Sequence, residues 1–276
     1  MTQPRQISGI ERSYGEAEVA LGQALGRSKL GRLYQRGSAK AFVTLSGARP
    51  EVVFLNTSGG LAGGDRLSWS LHLGPNVKAV ATSQTAERAY RSIEGPAEVA
   101  VDLRVGAGGW LDWLPQETIL YDGASLTRRT SVELGADAGC LTLEAIVLGR
   151  EAMGETVRSL AFRDWRQISQ NGRPLLVDPL HLTDAALLSG LAGLNGARGF
   201  AAIAMVGPGV MDALEPLRRV LDEPGVVAGA SAFQGKLTCR LSARSGWPLR
   251  RQIIRALSVL RQRDLPRHWQ TLERQL

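Results

Sequence analysis

The feature that most constrains this chain is a period of two. In Glu98–Val105, Val99, Val101, Leu103 and Val105 alternate with Glu98, Ala100, Asp102 and Arg104. Successive side chains of an extended strand point to opposite faces, so such a segment hides one face and wets the other. Ser68–Leu73 repeats the pattern with Trp69, Leu71 and Leu73. Further apolar runs at Phe42–Leu45, Val52–Leu55, Val77–Ala81, Thr118–Leu120 and Cys140–Leu148 are mostly set apart by Gly, Pro, Asn or Asp. Strands at this spacing predict an all-β sandwich, barrel or solenoid, and the period does not choose among them. Asn171-Gly172, between Trp165–Ser169 and Leu175–Val177, predicts a hairpin turn.

Helical spacing enters late. Pro248 suits a first helical turn, and Leu249, Ile253, Leu257 and Leu260 follow with Arg251 and Arg255 on the opposite face. This predicts a helix over Pro248–Arg263. Val210, Leu214, Leu217 and Leu221 fit a second helix that Pro216 should kink or restart. Asp184–Leu191 is a third candidate. Residues 1–25 are polar with weak periodicity and are expected to pack loosely. The expectation is therefore one domain over residues 1–276, mainly β, with two or three α-helices in the C-terminal half. A chain of 276 residues is long enough to bury a sizeable core.

The net charge of +7 is unevenly placed. Residues 1–239 carry 24 Lys and Arg against 24 Asp and Glu, whereas residues 240–276 carry nine arginines against Asp264 and Glu273. A basic stripe can meet nucleic acid, an anionic lipid surface or an acidic protein, or it can be a solvated helix face. No nucleic-acid motif or basic–aromatic interleaving accompanies it, so nucleic-acid binding is not expected. No apolar stretch approaches a membrane span, and the start lacks the apolar region of a secretory signal. Cys140 and Cys239 are isolated, which fits buried thiols in a cytoplasmic protein.

Three stretches are dense in special residues. Asn56–Leu67 places Gly59, Gly60, Gly63 and Gly64 around Leu61 and Ala62, then Asp65. Glycine at that density serves backbone angles a Cβ forbids, or close approach of another group. No lysine follows as in a P-loop, no nucleophile elbow exists, and His72, His181 and His268 share no ligand spacing. Gly108–Ala124 holds Trp110, Trp113 and Tyr121 with Asp112, Glu117 and Asp122, acids that suit either turns or a polar conduit. Leu148–Glu155 brackets a charged segment with glycines. There Glu155 is either the ion-pair partner of Arg150 or an acid held for a hard cation.

These motifs, with Thr82–Arg91 and the C-terminal Pro266-Arg267-His268-Trp269, occur in an order and spacing that resemble the UreD urease accessory proteins, called UreH in some organisms. The similarity runs from about residue 33 to 271. It implies a non-enzymatic chaperone that assists GTP-dependent nickel insertion into apo-urease, in a complex with UreF and the GTPase UreG. A homodimer within that complex is compatible with it. It also implies a β-solenoid-like, helical stack of strands with two helices, and an internal water-filled passage for nickel. Nickel in transit should meet carboxylates rather than a closed His/Cys cage, because borderline-soft nitrogen and sulfur ligands would hold it. Asp65 is the first candidate, followed by Glu87, Asp112 and Glu155, and no tightly bound cofactor is expected. Replacing Asp65 by Ala should then impair urease activation without unfolding the chain. Arg251 and Arg255 become candidates for partner docking. The competing readings are a β-rich enzyme using acids near Asp65, and a basic-tail binder of acidic surfaces.

Overall fold

The computed structural model describes residues 12–46, 49–188, 190, 193–261 and 263–270. Among the described residues, seventeen strands run in chain order as β1 (Tyr14–Ala24), β2 (Arg27–Gly37), β3 (Ala39–Thr44), β4 (Glu51–Asn56), β5 (Arg66–Leu73), β6 (Lys78–Ser83), β7 (Glu87–Ala89), β8 (Ala97–Val105) and β9 (Trp110–Trp113). They continue as β10 (Thr118–Leu120), β11 (Ala124–Leu134), β12 (Gly139–Leu148), β13 (Leu160–Gln170), β14 (Arg173–Thr183), β15 (Gly199–Val206), β16 (Val226–Phe233) and β17 (Lys236–Ala243). The helices are α1 (Asp184–Leu188), α2 (Leu214–Arg218), α3 (Gly246–Arg261) and α4 (Arg267–Gln270).

The strands alternate between two sheets. One has the order β14-β13-β11-β8-β5-β1-β2, and the other β16-β17-β15-β12-β9-β6-β4-β3, with β7 and β10 pairing beside β12. Sequential neighbours within each sheet are parallel: β1, β5, β8, β11 and β13 in the first, β4, β6, β9 and β12 in the second. The chain therefore winds through about four turns of a β-solenoid. Antiparallel strands close both ends, β2 and β3 at the start and β14 to β17 at the finish. Among the three β architectures the strand period allowed, the parallel in-register stacking selects the solenoid.

Coils stack without offset, so each inward side chain sits beside its equivalent in the next coil. Leu71 pairs with Leu103, Leu103 with Val132 and Val132 with Ile168, an apolar ladder through the interior. Phe54, Trp69 and Trp113 fill the early coils, with Phe54 and Trp69 stacked at 5.5 Å and Trp113 edge-on to both. The second sheet is covered on its outer face as well. There Leu249, Ile253, Ala256, Leu257 and Leu260 of α3 bury against Leu141, Leu143, Ala145, Ile203 and Leu241. Burial on both faces explains why Cys140–Leu148 reads as a continuous apolar run rather than an alternation.

The opening segment departs from expectation. Residues 14–24 of the stretch expected to be loosely packed form β1, with Ala17, Val19 and Leu21 buried; residues 1–11 lie outside the described chain. Small residues at alternate positions gave a weak signal for a strand that pairing on both sides makes secure. The helix expected over Pro248–Arg263 is α3, and Pro216 lies in α2, which restarts after a 3₁₀ turn at Val210–Ala213. Within the expected Asp184–Leu191 helix, Asp184–Leu188 is helical and residues 189, 191 and 192 lie outside the described chain. Asn171 and Gly172, both at positive φ, make the β13–β14 hairpin turn. No helix among the described residues is long and apolar enough to cross a membrane.

Gly63 shows what the glycine-rich loop needs. A Cβ there would lie 1.9 Å from Ser92 Oγ and 2.6 Å from the carbonyl oxygen of Gly95. The loop can pack against the next coil only without a side chain. Gly63→Ala should lower stability by about 1–3 kcal/mol through overpacking, measured as a shift in the denaturant midpoint.

Candidate functional site

Of the four acids expected to face a passage, Glu87 lines interior cavities, and the other three are engaged elsewhere. Asp65 is buried, and its carboxylate accepts the backbone N–H groups of Ser13 (2.7 Å) and Ala62 (2.7 Å). It closes the glycine-rich turn and ties β1 to it. The neighbouring Arg66 pairs instead with Glu98 at 3.3 Å. Asp112 points outward from β9, where it accepts the indole N–H of Trp110 (2.7 Å) and Arg261 Nε (2.9 Å). It anchors the end of α3. Glu155 accepts the backbone N–H groups of Asp122 (3.1 Å) and Arg150 (3.0 Å) and the Arg150 guanidinium (2.8 Å). Burial works against its charge, but these hydrogen bonds prevail and hold its carboxyl below the ordinary range. Asp65, Asp112 and Glu155 are therefore occupied in holding turns and a helix.

Glu87 sits differently. It follows a bend after β6, accepts hydrogen bonds from Asn56 Nδ2 (3.2 Å) and the Arg88 backbone N–H (2.9 Å), and faces the solenoid interior. Desolvation dominates and pushes its pKa up. Arg251 and Arg255 do not stand free: Arg251 Nε donates to Glu223 (2.8 Å), and Arg255 meets Asp222 (2.5 Å) and Glu223 (3.5 Å). Both fasten α3 to the loop before β16.

Beyond Glu87 the interior changes character in register. The ladder Leu67, Val99 continues as Arg128, Asp164, and the ladder Ala17, Trp69, Val101 continues as Thr130, Arg166. Across from them, Ala81 and Trp113 give way to Thr142, with Glu144 next on the same face of β12. Arg128 grips Asp164 with two hydrogen bonds (3.0 and 2.6 Å), donates to Thr118 Oγ1 (3.1 Å), and lies 2.8 Å from Glu144. Burial disfavours its charge, but the fields of Asp164 and Glu144 outweigh that and raise its pKa. Glu144 is pushed up, chiefly by desolvation, with Arg128 opposing. Its Oε2 makes the ion pair with Arg128 but no further hydrogen bond among the described residues. Arg166 donates to Thr142 Oγ1 (3.1 Å) and Asp178 (2.6 Å), and Asp178 also binds Arg240.

These groups line a row of cavities. A space of about 30 Å³ lies between Asn56, Gln84 and Glu87. A second, also about 30 Å³, is bounded by Glu87, Gln116, Thr118, Arg128 and Glu144. Trp69 Nε1, Trp113 Nε1 and Gln116 Nε2, all on residues lining it, have no hydrogen-bond partner among the described residues. A space of that size and polarity suits water rather than dry packing. Past Glu144, a cleft of about 570 Å³ opens among Asp164, Arg166, Asp178 and Arg240, with apolar walls. Glu144, Asp164 and Arg128 escaped the sequence reading. Their signal was charged side chains at positions 128, 164, 166 and 144 where the alternation calls for apolar ones. It is visible only once the inward phase of each strand is known.

Among the described residues, no group of three or more His, Cys, Asp or Glu side chains is arranged to hold a metal ion. Asp65→Ala leaves two part-buried N–H groups unpaired and should cost roughly 2–6 kcal/mol of stability at about 1–3 per group. This reverses the expectation that the substitution spares the fold, and chemical denaturation checks it. Asp178 supplies a pH dependence. Its burial works against ionisation, but Arg240 and Arg166 prevail and lower its pKa. Its contribution is thus complete above the unfolded carboxyl value of about 3.9 and is lost as pH falls through its lower folded value. Asp178→Asn should flatten the acid limb of stability against pH.

The family profile described as UreD urease accessory protein matches residues 13–271. A urease accessory protein UreD of Cereibacter sphaeroides is 60% identical over 273 residues, covering 98% of each chain. One from Paracoccus denitrificans is 55% identical over 95% of this chain and 93% of its own. A more distant one from Rhizobium leguminosarum is 41% identical over 94% of this chain and 96% of its own. The chain belongs to the UreD urease accessory protein family, non-enzymatic chaperones of urease maturation and nickel insertion.

Proposed function

We propose that the polar row through the solenoid is the path along which nickel passes during urease maturation, with this chain held in a complex with UreF and UreG on apo-urease. The observation that carries the reading is the in-register change of interior ladders from apolar to charged at β11, β12 and β13. Buried charge is costly, and a fold that needed only stability would gain by replacing it with apolar side chains. Glu87, Glu144 and Asp164 supply carboxylate oxygens, with Thr118, Thr130 and Thr142 hydroxyls between. Such oxygen donors bind nickel more weakly than imidazole or thiolate and let it move on. Cys140 and Cys239 are buried with pKa values pushed up by desolvation to about 12 and about 11, so neither offers a thiolate at neutral pH. UreG as the GTPase agrees with the absence of a P-loop lysine from this sequence. The chain carries nickel as cargo in cytoplasmic metallocentre assembly.

Glu87 is the step to test. Its folded pKa lies above the ordinary value, so its charged form weakens the fold as pH rises through that value. Glu87→Gln should leave the protein as stable as before, or more so, at neutral pH. Urease activation at limiting nickel should fall several-fold, while co-purification with UreF and UreG persists. Activation at the wild-type level would remove Glu87 from the path.

A further inference from the structure

Stretches that the sequence singled out also meet at one corner of the solenoid. Ala89, Leu120 and Leu148 stand in register on β7, β10 and β12, and Leu61 of the glycine-rich loop bridges to Ala89. All four are buried. The next residue of each rung is at the corner: Ala62, Tyr90, Tyr121 and Gly149. The Tyr90 and Tyr121 rings meet edge-on at 5.1 Å, and the Arg150 guanidinium lies 4.7 Å from the Tyr121 ring centre. The Tyr90 hydroxyl donates to the Gly59 carbonyl (2.9 Å), which Arg88 also approaches (3.4 Å). A Cβ at Gly60 would lie 2.3 Å from the Tyr90 ring, so this glycine lets the loop support the tyrosine.

The corner is exposed, rigid and basic. Met153 and Ile93 are 74% and 79% exposed beside it. Arg88, Arg91, Arg150 and Arg158 are all exposed. The nearby carboxylates are already engaged. Asp122 accepts the backbone N–H groups of Arg158 and Ser159 and the Arg91 guanidinium, and Glu155 accepts three donors of its own. Preordered tyrosine and arginine with apolar neighbours are the residue types that concentrate binding energy at protein interfaces.

We propose that this tyrosine–arginine corner docks an acidic face of a partner protein, resting on the reading that the chain works within a urease assembly. Arg91 and Arg150 are paired with Asp122 and Glu155, but Arg88 and Arg158 make no ion pair among the described residues and select an acidic partner, and the Tyr90, Tyr121 and Met153 surface supplies the apolar centre. The test uses the full tagged chain co-expressed with its cognate urease subunits, UreF and UreG. Met153→Asp and Arg88→Glu are compared with Arg27→Glu on β2, outside the corner. The expected result is at least a tenfold loss of one captured component in the two corner variants, with melting temperature unchanged and the Arg27 variant unaffected. Full capture by both corner variants overturns the proposal, as does equal loss in the Arg27 variant. Self-association of the chain alone that both corner variants abolish would assign the face to a second copy and also overturn it. A wild-type chain that captures none of these proteins rejects the assembly reading and this surface with it.

Discussion

Everything in this fold depends on coils that stack in register. An inward side chain has its counterpart directly beside it in the next coil, so one change of character is felt along a whole ladder. Through the first coils the counterparts are apolar, and Phe54, Trp69 and Trp113 close the space between the sheets. At β11 the ladder turns to Arg128, and a single buried guanidinium then requires acids on both sides. Asp164 answers from the next coil and Glu144 from the opposite sheet. Removing the cation would leave two buried acids with no counter-charge from Arg128 in low dielectric, which costs far more than the pair contributes. The polar interior is therefore all or nothing: it persists because each member satisfies the next.

Much of the architecture was legible because strand alternation is local. Glu98–Val105 and Ser68–Leu73 announce β8 and β5, and the apolar spacing from Leu249 to Leu260 announces α3. The choice of solenoid was not legible from the period, because parallel stacking is a relation between strands far apart in sequence. β1 was missed because Ala17 and Gly15 carry little hydrophobic signal, yet small residues are what its packed position accepts.

The candidate site was less legible for the same reason. A carboxylate beside glycines looks exposed to passing ions, but Asp65 is held by backbone donors that no sequence pattern reveals. Asp112 looked like a neighbour of the tryptophans inside. It points the other way, because Leu111 and Trp113 take the interior positions of β9. Glu87 was found through its motif, whereas Glu144 and Asp164 lie in strands whose inward phase had to be seen first.

The basic C-terminal segment takes on a different meaning once its partners are known. Arg240, Arg250, Arg251, Arg255 and Arg261 reach Asp178, Glu117, Glu223, Asp222 and Asp112, all outside the segment. The excess charge is a set of clamps thrown back over the body, and α3 closes the outer face of the second sheet with them. The ribosome makes this segment after the coils it covers. During synthesis the stacked strands therefore wait with that outer face open and those five acids without their C-terminal arginines, although Asp178 already holds Arg166. α3 then covers that face and draws its arginines onto acids already in place, as a lid closes a box already built.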